Sequence, residues 1–341
     1  MKLPVYSSTI RRKEMDAVLT CMVAEKIGPG EMNQKLAQLV REVFGTDGAA
    51  AFRSSAIALQ YALKALDLTP GSGIIISALA PAWQYQAVTA LGYSPVTVDV
   101  DPDTACVTPD AIEKAIARGG RLILLHETLG VLPDIDSILA FNIPVIEDIS
   151  QSAGASFGEK KAGQFGVFSI LGLEERDMIT GGGGALLLAP NRREAIVLKR
   201  LADEAPLTDI LPDINSALAF VQVRELQRNI EMRRQIYEGY VHSLLQGRHK
   251  TISQNESVSP SFYCFPVILA SGFKEVKQYA NRKDIQIEPA FTDSVVTLLG
   301  EDLPDCVNAK SLAMRCVLFP LYPRLGAANA AKIAKVLATL P

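Results

Sequence analysis

Residues 144–151, with the sequence PVIEDISQ, place two carboxylates directly after a short apolar run. Such a run, continuous and without alternating polar residues, is typical of a strand that is buried on both faces of a sheet. Further runs of this kind lie at residues 74–76, 96–100, 122–125, 167–170 and 185–188. Helical patterns at residues 109–117 and 192–202 separate several of them. The alternation predicts an α/β fold, with a mostly parallel sheet covered by helices on both faces.

The segments on either side of this alternating region are mainly helical. Helices are predicted at residues 32–44, before Gly45, and at 54–66, where Ser54 and Ser55 are candidate N-caps. Residues 213–245 contain no proline and predict one long helix. The remaining predictions are a strand at 262–269, a helix at 273–280, a short strand near Ile285 and a final helix at 327–340. This change of pattern predicts a large domain over residues 1–232 and a small α+β domain over residues 233–341.

The composition narrows the classes of partner. The chain has 341 residues, 48% of them hydrophobic, and a formal net charge of −3, which gives no electrostatic reason to expect nucleic acid or an anionic membrane. It has no apolar run long enough to cross a membrane, and its first residues are too polar for a signal peptide. The five cysteines are scattered without paired spacing, so neither a disulfide framework nor a metal site is predicted. We therefore expect a cytoplasmic protein.

Polar residues follow several predicted strands, where open α/β sheets bind their ligands. These candidates are Asp148 and Gln151, Ser169, His126, the run 180–184 (TGGGG), and Ser54 with Ser55 at a helix start. Each has a structural alternative, because an aspartate can cap a turn, a histidine can pack in a core and a glycine run can be a flexible loop. No single candidate defines a site.

Taken together and in chain order, these segments resemble the DegT/StrS family of pyridoxal phosphate (PLP)-dependent sugar aminotransferases. The similar segments are residues 28–30 (GPG), 54–76, 94–104 (SPVTVDVDPDT), 124–136, 145–158 (VIEDISQSAGASFG), 168–170 with 179–187 (FSI…ITGGGGALL), 216–240 and 316–326 (CVLFPLYPRLG). The resemblance implies fold type I, in which helices sandwich a mostly parallel seven-stranded sheet and a small α+β domain follows. It also implies a homodimer with sites completed by the partner subunit, and a place in cell-surface polysaccharide or modified-sugar biosynthesis.

The resemblance also implies roles for individual residues. Asp148 stands where the family aspartate pairs with the pyridine nitrogen of PLP, and Gln151 stands at a neighbouring cofactor contact. Ser169 matches a phosphate-binding serine. Trp83 is the counterpart of the aromatic residue that stacks on the pyridine ring, although residues 81–92 are about two residues shorter than the family segment.

The lysine that anchors PLP in this family is absent. In the family this lysine lies eight residues before the last glycine of the glycine loop. The last glycine here is Gly184, so the matching position is Arg176, and no lysine occurs between Ser169 and Gly184. Arginine stays protonated in proteins, so it serves neither as the Schiff-base amine nor as a base. The related dehydratases carry a histidine at this position, but the three histidines of this chain lie elsewhere.

Other family positions are also changed. The glycine-threonine pair that holds the phosphate becomes Ser55-Ala56, so that Ser54 or Ser55 would have to replace the missing hydroxyl. The asparagine and arginine that reach into the partner's site become Thr208 and Ile210, and the glutamate of the glycine loop becomes Gly182. Several losses in one cofactor site indicate that the site is no longer used for covalent PLP.

Three hypotheses about the function follow from these changes. The first is a degenerate homologue that keeps the dimeric fold without transaminase activity; it binds a nucleotide-sugar-like molecule, has a regulatory role or pairs with an active paralogue, and it holds no cofactor. The second is an enzyme that binds PLP or its amine form, PMP, weakly and non-covalently, with His126, Glu174 or Glu175 as the proton carrier. The third is an aminotransferase whose lysine comes from elsewhere, such as Lys160 or Lys161.

Overall fold

The computed structural model describes residues 2–255 and 257–341. In this part of the chain the α-helices are α1 (Arg12–Val23), α2 (Glu31–Phe44), α3 (Ser55–Ala65), α4 (Ala82–Ala90), α5 (Pro109–Ala117), α6 (Ile135–Leu139), α7 (Arg192–Asp203), α8 (Asp213–Arg224), α9 (Leu226–Leu244), α10 (Phe273–Arg282), α11 (Val295–Leu299), α12 (Val307–Arg315) and α13 (Ala327–Leu337). Short 3-10 turns lie at Thr128–Gly130 and Gly300–Asp302. None of the helices described is long and apolar enough to span a bilayer.

The strands are β1 (Gly48–Phe52), β2 (Gly73–Ser77), β3 (Ser94–Val98), β4 (Gly120–His126), β5 (Val145–Asp148), β6 (Ser156–Phe157), β7 (Lys160–Lys161), β8 (Phe168–Gly172), β9 (Ala185–Ala189), β10 (Val258–Ser259), β11 (Phe265–Ile268), β12 (Glu288–Pro289) and β13 (Cys316–Phe319). Seven of them form the main sheet in the order β1-β9-β8-β5-β4-β2-β3. The pairs from β8 to β3 are parallel, whereas β9 is antiparallel to both of its neighbours. The predicted mostly parallel sheet between helices is therefore confirmed.

The main sheet is buried because its strands present apolar side chains to both helical layers. Every residue of β2, β5, β8 and β9 is buried. A polar residue at the end of such a strand is therefore held in a fixed environment at one edge of the sheet.

A second core forms around the C-terminal part of the chain. Strands β11, β13 and β12 make an antiparallel sheet, which packs with α9, α10 and α13 around Tyr240, Phe265 and Phe319. The short strand predicted near Ile285 is shifted: Ile285 makes one isolated bridge to Leu3, and β12 begins at Glu288. A third small sheet, β10-β6-β7, lies at the surface.

The predicted long helix over residues 213–245 is divided at Glu225. This residue has φ −92° and ψ 0°, outside helical values, and separates α8 from α9. Its carboxylate accepts from Lys13 at 2.7 Å and Arg228 at 3.3 Å. The break follows no proline or glycine, so the sequence carried no signal for it.

Arg233 fastens α9 to the small C-terminal sheet. Its side chain is buried, and Nη1 donates to the carbonyl oxygens of Tyr263 at 2.6 Å and Leu321 at 3.0 Å. These carbonyls belong to the segments entering β11 and leaving β13. The predicted boundary at residues 232–233 thus falls on a tightly bound residue of a continuous helix.

Candidate functional site

A cavity of about 580 Å³ opens at the carboxyl ends of the central strands, between the main sheet and the small C-terminal sheet. Its lining includes nine of the ten residues predicted for the site: Ser54, Ser55, Trp83, His126, Asp148, Gln151, Glu174, Glu175 and Arg176. The small sheet contributes Glu288, Pro289 and Leu318. A larger groove of about 940 Å³ beside edge strand β1 is lined by none of the nine.

Asp148 is the centre of a buried hydrogen-bond network. Its Oδ2 accepts from His126 Nδ1 at 2.9 Å and from Gln84 Nε2 at 2.7 Å. Its Oδ1 accepts from the backbone N–H of Ser150 at 3.2 Å and from the Ser150 hydroxyl at 2.5 Å. A carboxylate has about four acceptor positions. All of those on Asp148 are therefore occupied by side chains and backbone of this chain.

These contacts also fix the charge of Asp148. Burial acts to raise its pKa, but the hydrogen bond and charge of His126 and the hydrogen bonds from Ser150 outweigh burial, so the pKa lies below the ordinary value. Asp148 is consequently an ionised acceptor.

Gln84 was not predicted from the sequence. It lies on α4, is fully buried, and its Oε1 has no hydrogen-bond partner among the described residues. The segment around it was the one whose length departs from the family pattern, so its alignment was loose. Its helical spacing from Val88, also fully buried, was the available signal that Gln84 faces inward.

Arg176 lies at the mouth of the cavity. Its Nη1 donates to Glu288 Oε1 at 2.6 Å, and its guanidinium lies 5.9 Å from the centre of the Tyr6 ring. This pair connects the segment after β8 to β12 of the small sheet. No lysine lines the described part of the cavity. Lys161, one alternative source of a lysine, instead donates to the carbonyl of Val43 at 2.6 Å.

The acidic residues beside Arg176 differ in their surroundings. A glutamate would need burial to raise its pKa before it could carry a proton near neutral pH. Glu174 and Glu175 are both exposed, so their positions do not support this role. Asp177 also lines the cavity, and burial, followed by the charges of Asp148 and Glu174, raises its pKa to about 8. The sequence interpretation missed Asp177, because only the fold shows that it turns inward.

The predicted phosphate contacts are not assembled together. Ser54 lines the cavity, but its hydroxyl accepts from the backbone N–H of Ile57 at 3.2 Å as the N-cap of α3. Ser169 does not line the cavity. It is paired in register with Glu147, on the face of the sheet opposite to Asp148, and its hydroxyl donates to the carbonyl of Gly163 at 3.2 Å. This placement gives no support to a phosphate contact for Ser169.

The glycine run forms a loop with a defined backbone conformation. Gly182, Gly183 and Gly184 have φ values of +71°, +118° and +111°, a region that favours glycine. The N–H groups of Gly181 and Gly183 both donate to the carbonyl of Leu173 at 2.9 Å. The loop thereby holds residues 174–177 against the cavity.

Comparison with known proteins agrees with this architecture. Residues 8–338 match the model of the DegT/DnrJ/EryC1/StrS aminotransferase family. DesV from S. venezuelae, solved with a ketimine intermediate, has a TM-score of 0.89 and 18% identity, with 99% of this chain and 98% of DesV covered. The E. coli GDP-4-keto-6-deoxy-D-mannose-3-dehydratase, solved with hydrated PLP, has a TM-score of 0.87 and 20% identity over 99% of this chain and all of the other. An aminotransferase from Psychrobacter cryohalolentis has a TM-score of 0.88 and 17% identity over 96% of both chains.

Proposed function

The chain belongs to the DegT/DnrJ/EryC1/StrS aminotransferase family, and we propose that it is a degenerate member that has kept the fold without lysine-based transamination. The observation that carries the proposal is the lining of the cavity. Arg176 stands at the expected lysine position and is bound to Glu288, and no lysine replaces it among the described lining residues.

The residues present do not fit PLP. When bound, PLP supplies an electron sink that stabilises negative charge beside an amine. Lysine-based transamination with this cofactor needs a lysine for its aldehyde and a hydrogen-bond acceptor for its ring nitrogen. The first is missing, and the acceptor positions of Asp148 are already filled by Gln84, His126 and Ser150. We therefore assign no reaction step to PLP in this protein.

What remains is a binding cavity of about 580 Å³, enough for a small molecule. The sugar-modifying family makes a sugar or nucleotide-sugar the proposed ligand class. In this proposal Asp148 positions His126 and the surrounding loops, and the ligand is bound without being transaminated.

Borohydride reduction tests the proposal. The purified protein is mixed with excess PLP, its visible spectrum is recorded, and the intact chain is weighed after reduction. A lysine-bearing family member, treated identically, is the positive control. We expect no saturable shifted absorbance band and no stoichiometric adduct on one lysine beyond the scattered labelling of surface lysines, because Arg176 cannot form the Schiff base. A stoichiometric adduct on one lysine would overturn the proposal.

A further inference from the structure

Asp148 is a cofactor residue in the family, but in this protein its surroundings make it an internal anchor. Its carboxylate is 1% exposed and receives two donors on each oxygen. Three of those donors come from His126 and Ser150, which lie on or directly after the strands that carry the site. The fourth donor is the side-chain amide of Gln84, which lies on helix α4.

We infer that Gln84 is the specificity-determining residue that closes the cavity to a protonated pyridine ring. Its amide occupies the last acceptor position of Asp148, through a hydrogen bond of 2.7 Å. A pyridinium N–H would have to displace this amide or the imidazole of His126. The inference deepens the proposed function, on which it rests, because it explains why cofactor binding is lost even without a covalent bond.

The orientation of the Gln84 amide follows from chemistry. A carboxylate only accepts hydrogen bonds, so the NH₂ group faces Asp148 and Oε1 must point elsewhere. Oε1 then has no donor among the described residues, although the side chain is fully buried. An unpartnered buried acceptor costs free energy. The bond to the ionised Asp148 offsets this cost, because a hydrogen bond to a charged group is stronger than one between neutral groups.

Displacing Gln84 would leave both ends of its amide unsatisfied in a buried position. Displacing His126 would remove the donor that helps to keep Asp148 ionised. Either route penalises a pyridine ring before any contact with its phosphate is considered. The block therefore acts on PLP and PMP alike.

The test measures non-covalent binding of PMP, which has no aldehyde and cannot form a Schiff base with a lysine. PMP fluorescence after equilibrium dialysis gives the dissociation constant. Gln84→Leu removes the amide while keeping a helix-forming side chain of similar size, and Gln84→Met is the second variant. Gln86→Leu is the matched control, because Gln86 is an exposed glutamine on the same helix.

We expect no saturable PMP binding by the wild-type protein or by Gln86→Leu. Gln84→Leu and Gln84→Met should bind PMP saturably, with a dissociation constant at least about tenfold below the highest PMP concentration at which the wild-type protein shows no saturation, because one hydrogen bond to a charged group is regained. Saturable binding of PMP to the wild-type protein would overturn the inference without any variant. Unchanged binding in a folded Gln84 variant would also overturn it.

A second pair of variants separates this inference from the proposed function. Arg176→Lys should give no pyridoxyl adduct while Gln84 is present, and the double variant Gln84→Leu/Arg176→Lys should give one. An adduct with Arg176→Lys alone would refute the role of Gln84 and leave the proposed function standing. A stoichiometric adduct on one lysine of the wild-type chain would instead refute the proposed function.

Discussion

Glu127, the residue after His126, is a carboxyl group buried next to the site. Its side chain is fully buried, Oε2 accepts from the Ser152 hydroxyl, and Oε1 has no partner among the described residues. Burial, followed by the charge of Glu147, raises the pKa of Glu127 well above its ordinary value. Glu147 itself is held by backbone N–H groups of Gly163, Phe165 and Gly166 at 2.6–2.8 Å.

We expect the stability of the protein to fall with rising pH because of Glu127. Above the ordinary pKa of 4.5 the unfolded chain releases this proton while the folded chain keeps it, so the folded state binds more protons. Each pH unit between the unfolded and folded pKa values costs up to about 1.4 kcal/mol. Glu127→Gln, which keeps an acceptor for Ser152, should flatten this dependence when urea unfolding is followed from pH 5 to pH 8.

Glu113→Gln is the control for that experiment, because Glu113 is exposed on α5. It should leave the pH dependence as in the wild-type protein. Equal slopes for the wild-type protein and Glu127→Gln would contradict the assignment of a buried proton to Glu127.

For single residues, the sequence predicted which of them lie near the cavity better than it predicted where their side chains point. Asp148, Gln151 and His126 were found because each follows a recognisable apolar strand. Gln84 and Asp177 were missed because their inward orientation depends on how α4 and the segment after β8 pack. Ser169 was predicted for the cavity, but the alternation along β8 turns its hydroxyl to the other face.

The glycine loop packs tightly beside the segment that lines the cavity. A Cβ atom on Gly184 would lie 2.3 Å from Leu211 Cδ1 and 3.1 Å from the carbonyl oxygen of Phe52, and the φ of +111° disfavours any L side chain. Gly184→Ala should therefore lower the free energy of unfolding by about 2–4 kcal/mol. Chemical denaturation measures this change.

Gly239 provides the matched control. It lies inside α9, and nothing lies within 4 Å of a Cβ atom placed on it. Gly239→Ala should stabilise the protein by about 0.5–1 kcal/mol, because alanine favours the helix. If both alanine variants shifted the midpoint equally, the loop would not depend on its backbone conformation.

Elements with strong patterns were predicted well, and those shaped by tertiary contacts were not. The strands of the main sheet were found because their apolar runs are continuous. The division of the long helix at Glu225 was missed because neither proline nor glycine marks it, and the ion pair of Glu225 with Lys13 joins residues far apart in the sequence.

For the whole molecule, α1 exposes a stripe of apolar side chains, and we propose that a second copy of the chain covers it. Met15, Leu19, Met22 and Val23 are 54–77% exposed and lie along one face of the helix, and Ile27, which follows the end of the helix, is 54% exposed. An apolar stripe of this extent marks an interaction surface. The family resemblance implies a homodimer, so a second copy of the chain is the expected occupant.

Light scattering coupled to gel filtration tests this expectation. The wild-type protein should have twice the chain mass of 36.8 kDa. Leu19→Glu/Met22→Glu should shift it to the monomer, because two charges would have to be buried in the interface. Met314→Glu, which changes a methionine that is 73% exposed on α12, is the control and should remain dimeric. A wild-type monomer at micromolar concentration would refute the expectation.

The buried guanidinium of Arg233 has a mechanical consequence for the cavity. Because Nη1 binds carbonyls of Tyr263 and Leu321 together, swinging the C-terminal sheet outward would strand a positive charge without acceptors. These two bonds therefore fasten α9 to the small sheet, and we expect the helix and the sheet to move as one body. A ligand that drew the small sheet toward the main sheet would then have to carry the whole of α9 with it.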